Sequence, residues 1–192
     1  MKQYVLFFSL CFFTLSFSLP DYKNCQNTNQ FVWDTSFEAF VKRYFESKKG
    51  TYNEENGLIS EQLLTAMGGP PEDIIRLKDS VIMAQACQAH QASVVAAVWL
   101  CPKKEKALFA LVHYYDDKGV YHSDPRCTIF YKDSQMKDVY EQKIVTWVKD
   151  TFNSLIEKDY ALFNDDKPAQ VAKKELDDLK KKAESRIYFV RV

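Results

Sequence analysis

The sequence predicts an α+β fold, an antiparallel β meander of about four strands packed by short N-terminal helices and two C-terminal helices. Three observations predict it. Phe37, Phe40, Val41, Tyr44 and Phe45 recur at helical spacing early in the chain. Two runs rich in β-branched and aromatic residues, 92–100 and 106–115, lead into a turn, Asp116-Asp117-Lys118-Gly119. After Ser134 the apolar period returns to that of a helix, through Ile144, Val148, Phe152, Leu155 and Ile156.

The elements follow in order. Residues 19–33 are polar and irregular. The first helix begins after Asp34 or Thr35, where Thr35 and Glu38 have capping-box spacing, and Gly50 closes it. A loop, 51–57, leads to a short helix, 58–67, stopped by Gly68-Gly69. Pro70-Pro71-Glu72-Asp73 predicts a further helix to about Lys78, since proline suits the first turn and acids suit the positive end of the dipole. Residues 80–89 fit helix or strand. Strands are expected at 92–100, at 106–115 and from Val120, the last interrupted at Ser123-Asp124-Pro125 and resuming over 127–132. The turn between the last two places glycine in the left-handed position and makes a hairpin in which Asp116 faces Val120. Ser134 caps a helix to about Leu162. Pro168 opens another, with a narrow stripe of Ala172, Leu176, Leu179 and Ala183, to about Arg186, and 187–192 alternates as a strand at the sheet edge.

The first 18 residues read as a secretory signal peptide. Lys2 precedes an unbroken apolar run, Tyr4–Phe17, and Ser16 and Ser18 supply small residues at −3 and −1 of a cleavage before Leu19. The run is short of the roughly 20 residues that cross a bilayer. Cleavage leaves one domain, residues 19–192. The full chain holds 26 basic and 26 acidic residues, so losing Lys2 leaves a net charge of −1. Such a chain has no basic field for nucleic acid or anionic membranes. Its destination is secreted or periplasmic; the lack of an N-x-[ST] sequon favours a bacterial setting.

Cleavage also removes Cys11, leaving Cys25, Cys87, Cys101 and Cys127. An even count in an exported chain predicts two disulfides. If 80–89 is a strand turning back near His90, Cys87 lies beside Val94, and Cys101 is roughly 23 Å further along. Cys101–Cys127 with Cys25–Cys87 is then the preferred pairing.

Four groups of residues are candidates for chemistry. The loop Tyr52–Ser60 echoes part of an EF-hand, with Gly57 as the turn glycine. Tyr52 and Leu63 then occupy the positions where calcium needs carboxylates, so an ordinary turn is expected. His113 and His122 flank the hairpin with Asp124 near. In the favoured register His113 opposes Ser123, and the two rings lie on opposite faces, which speaks against a metal site. Cys87 and His90 are too close in sequence for a typical nucleophile pair. Tyr114, Tyr115 and Tyr121, beside Asp116 and Asp117, form an aromatic, acidic hairpin suited to protein recognition, against a bland reading of cross-strand packing. No catalytic, cofactor-binding or metal-binding motif is present. The expectation is an exported, non-enzymatic protein that engages another protein, as inhibitors, immunity proteins and effectors do. Two alternatives stay open. One is a secreted hydrolase built on His113, His122 and Asp124. The other is a small-ligand carrier with a pocket between the sheet and the long helix.

Overall fold

The structure is a computed structural model that describes residues 19–20, 22, 24–116, 118–163, 177–178 and 181–192. The signal-peptide reading, Asp117, and most of the helix expected from Pro168 lie outside the described residues.

Helices α1 (Asn29–Val32), α2 (Thr35–Phe45) and α3 (Ile59–Ala66) come first, with the two-residue strands β1 (Lys49–Gly50) and β2 (Gly57–Leu58) paired between the latter two. Strands β3 (Ile75–Arg76), β4 (Ile82–Gln88), β5 (Gln91–Cys101), β6 (Lys106–Tyr115), β7 (Tyr121–Tyr131) and β8 (Ile187–Arg191) form one sheet in chain order, with α4 (Ser134–Phe163) between β7 and β8. The α+β class holds, but the meander of about four antiparallel strands does not: the sheet has six, and β8 runs parallel to β7. A parallel neighbour requires the chain to recross the sheet between the two strands. Helix α4, about 45 Å long at 1.5 Å per residue, lies in that connection.

Alternation along the strands divides the core in two. Ala84, Ala96, Val98, Phe109, Leu111 and Phe130 face α1–α3. Met83, Ala97, Trp99, Leu108, Ala110, Cys127 and Ile129 face α4, where the expected stripe of Ile144, Val148, Phe152, Leu155 and Ile156 is buried together with Ala183. Burying a side chain of this size stabilises by about 1.5–3 kcal/mol before the entropy of ordering it is counted.

Local details correct the sequence reading. Asp34, not the Thr35–Glu38 box, caps α2, accepting from the Ser36 amide at 2.8 Å. Asp133, one residue before Ser134, caps α4, accepting from the Met136 amide at 2.7 Å. The helix expected after Pro70 is extended chain ending in β3. Pro71 restricts the residue before it to extended backbone, and the segment pairs at a sheet edge, Asn27 bridging Asp73 and the Ile74 amide donating to the Gln26 carbonyl at 3.2 Å. Residues 80–89 resolve into β4. Its far end packs on Gly69, where a Cβ would come within 2.0 Å of the Cys87 carbonyl oxygen, so only glycine fits.

The cysteine expectation also fails. Cys25, Cys87, Cys101 and Cys127 are all free thiols. Cys25 packs with the α1–α3 face, while Cys87 opens into a groove beside α4, so the sheet stands between them. Cys101 pairs with Lys106 and Cys127 with Val112, which puts the two about six residues, roughly 20 Å, apart along β6. Bonding needs Cα atoms within about 7 Å.

Candidate functional site

The hairpin joining β6 and β7 organises the site. Its turn forms as the sequence predicts. The Asp116 amide donates to the Val120 carbonyl and the Gly119 amide to the Asp116 carbonyl, each at 3.0 Å, and Gly119 takes φ +75°. Asp116 Oδ1 accepts from the Lys118 and Val120 amides, both at 2.9 Å. Its Oδ2 meets His122 Nε2 at 3.0 Å. The His122 contact, then these turn amides, holds the Asp116 carboxyl down at about 2.

Beyond the turn the register departs from the expected one. Tyr115 pairs with Tyr121, yet His113 pairs with Arg126 and not with Ser123. One residue separates the first pair of partners on β6 and four separate them on β7, so β7 carries three extra residues. An odd shift exchanges the faces of a strand. It brings Arg126, Thr128 and Phe130 to the face that carries Phe109, Leu111 and His113, and β8 adds Tyr188 and Val190 opposite Thr128 and Phe130.

These side chains and the Gly50–Tyr52 segment line a cleft of about 410 Å³, with Tyr115 and Asp116 at its hairpin end. It lies where α2 and α3 stop covering the sheet. An edge-to-face series of rings connects it to the core. Phe45 meets Phe130 at 5.3 Å, Phe130 meets Tyr52 at 5.3 Å, and Tyr52 meets His113 at 5.0 Å. Gly50 lets Tyr52 lie this way, since a Cβ there would meet the Tyr52 ring at 2.5 Å. The loop behind it closes on Gln62, whose Oε1 accepts from the amides of Tyr52, Asn53 and Glu54 at 3.2, 2.8 and 3.2 Å. The segment read as an EF-hand echo is thus built around an amide side chain, with Leu63 buried in the core.

His113 is 3% exposed, and its Nε2 lies 2.9 Å from Thr128 Oγ1. Burial lowers its pKa from 6.5 to about 4, against which the Tyr115 backbone acts, while Arg126 adds to the lowering. The ring is therefore neutral near pH 7. The Arg126 Nη1 donates to the Tyr188 hydroxyl at 2.6 Å, and its Cζ stands 5.9 Å from the centre of that ring. Its Nε is buried without a hydrogen-bond partner.

The three residues of the hydrolase reading do not converge. His113 is held by Thr128, His122 by Asp116, and Asp124 by Arg186 at 3.4 Å. His90 sits exposed in the β4–β5 turn at φ +61°, and Cys87 pairs with Val95, one residue from the expected Val94. Of the hairpin tyrosines, Tyr114 is buried, while Tyr121 is 63% exposed. Tyr121 stacks on Tyr114 at 6.1 Å and meets Tyr115 edge-on at 5.7 Å. Sequence reasoning passed over Arg126 and Tyr188. The available signal was an arginine directly before the run from Cys127 to Tyr131. Among the described residues no group of three or more histidine, cysteine or acidic side chains is arranged to hold a metal, and no helix is long and apolar enough to cross a membrane. The chain matches no family model, no curated protein and no solved structure.

Proposed function

We propose that the chain is an exported, non-enzymatic binding protein that engages another protein through the end of the sheet formed by the β6–β7 hairpin and β8. The observation that carries this reading is Tyr121. An exposed aromatic ring held between two other tyrosines loses little freedom on binding and offers a large contact area, which is the character of an interface anchor. Val120 beside it, and Tyr188 and Val190 on β8, are also exposed and add apolar surface. The separate partners of His113, His122 and Asp124 favour binding over hydrolysis. Disulfides no longer support export, which now rests on residues 1–18 alone.

The test uses Tyr121→Ala. The variant is expected to unfold at the wild-type temperature to within a few degrees and to lose a partner that wild-type protein captures reproducibly from source extract. An unchanged set of captured proteins, or a variant that cannot fold, would leave simple packing as the role of Tyr121. Intact mass of the exported product, starting at Leu19, checks the compartment.

A further inference from the structure

We infer that the cleft between β6, β7, β8 and the Gly50–Tyr52 segment binds a carboxylate carried on an apolar or aromatic body, and that Arg126 holds the anion. The inference does not rest on the hairpin reading, although the cleft adjoins that surface and shares Tyr188 and Val190 with it.

The first support is the unfinished bonding of Arg126. A guanidinium has five N–H donors in a planar fork suited to two oxygens of one carboxylate. Here Nη1 is bonded to a neutral phenol and Nε is buried without an acceptor. Among the described residues no carboxylate pairs with it. The described carboxylates within ten residues of it along the chain are committed elsewhere, Asp133 to Lys106. Both oxygens of Asp116 serve the turn and His122, and Asp124 pairs with Arg186. A buried cationic donor lacking an acceptor is unfavourable until one arrives.

The second support is the remainder of the lining. Tyr52, Tyr115, Tyr188 and Val190 supply aromatic and aliphatic wall, and His113 and Thr128 form a polar floor that carries no charge near pH 7. Among the described residues that line the cleft Arg126 is the one positive group, and Asp116 at the rim is a carboxylate whose oxygens are held by the turn amides and His122. Inorganic phosphate would use the guanidinium but leave the apolar wall in water. A neutral aromatic amide would use the wall but leave the charge unpaired. An organic carboxylate uses both.

The experiment is nitrogen–proton NMR on the whole folded protein at pH 7, following the Arg126 Nε–H signal during titration with phenylacetate, phenylacetamide, inorganic phosphate and the dipeptide acid acetyl-Ala-Phe. Phenylacetate is expected to saturate the Arg126 shift and to bind at least about tenfold more tightly than phenylacetamide and phosphate, a difference typical of one charge-assisted pair. Arg126→Gln should remove that preference. Tyr188→Phe, a milder change that frees Nη1, should alter phenylacetate affinity a few-fold while leaving phenylacetamide unmoved. This variant decides the matter if the glutamine variant does not fold. Tighter binding of the dipeptide than of phenylacetate would assign the carboxylate to a peptide terminus, and the reverse order to a free acid. Equal binding of acid and amide, shifts remote from Arg126, or no saturable shift with any probe would overturn the inference.

Discussion

Two hollows of equal volume, about 410 Å³ each, flank the sheet on opposite faces. One is the cleft at β6–β8. The other lies between α4 and the β4–β5 strands, lined by Glu72, Gln85, Cys87, Trp147 and Asp150, where the small-ligand reading expects a pocket. Their polar groups differ. In the α4 groove the Trp147 indole donates to Gln85 Oε1 and the Gln85 amide donates to Glu72, so its central groups satisfy one another. In the cleft Arg126 Nε is buried without a partner. Space alone does not distinguish a site; polar groups left for something else to complete do.

The sharpest test of this contrast removes a large ring on each side. Phe130→Ala and Phe152→Ala each delete a fully buried phenyl group, on the α1–α3 face and the α4 face respectively. Each is expected to cost ~3–5 kcal/mol by urea denaturation. Phe130 is the ring on which Tyr52 leans, so phenylacetate binding should weaken only in Phe130→Ala. An equal loss in both would show that the cleft depends on the fold as a whole.

The next effect concerns acid. His113 has its pKa lowered in the folded state, from 6.5 to about 4, chiefly by burial. Between those values the unfolded chain takes up a proton that the folded chain does not. The stability contributed by the neutral ring is thus complete above pH 6.5 and lost as pH falls to 4, by up to ~3 kcal/mol at 1.36 kcal/mol per pH step. Urea midpoints of the wild type and His113→Gln, compared at pH 7.5 and 4.5, should show a steeper acid loss in the wild type. Parallel profiles would mean that the ring is more open to water than the structure has it.

A smaller pair of changes compares the bonding itself. Gln85→Ala strands the Trp147 indole and should cost ~1–3 kcal/mol. Arg126→Gln gives up one bond to a phenol and relieves a buried unpaired donor, and should cost less than ~1 kcal/mol. Thermal unfolding separates the two; the reverse order would break the distinction between a completed network and an open one. The smallest effect is at the exposed turn. The Asp116 carboxyl is held at about 2, first by His122, against an ordinary 3.8. What it contributes is present above 3.8 and fades as pH falls toward 2. Protection of the Lys118 and Val120 amides, taken relative to intrinsic exchange at each pH, should fall through that window and do so less in Asp116→Asn.

Much of the scaffold was legible because its causes are local. The stripe from Ile144 to Ile156 needs only helical period and an apolar partner. The Asp116–Gly119 turn needs only a side-chain oxygen and a residue that tolerates positive φ. The cleft was not legible. Arg126 joins His113 only through the three extra residues of β7, and periodicity cannot register them because alternation reads the same on either side of a bulge. The same displacement moved Cys127 three residues further from Cys101 along β6, the strand that stands between them.

By itself the sequence determined the α+β class, the core stripe of α4, the β5 and β6 strands and the tight turn, since each follows from neighbours within about ten residues, whereas the interruption it places at Ser123-Asp124-Pro125 is absent from the continuous β7. Tertiary structure decided the extended path after Pro70, the parallel placement of β8, and the face on which Arg126 stands. Those depend on which distant backbone groups are left to pair, and hydrogen bonds between strands are satisfied across the sheet and not along the chain.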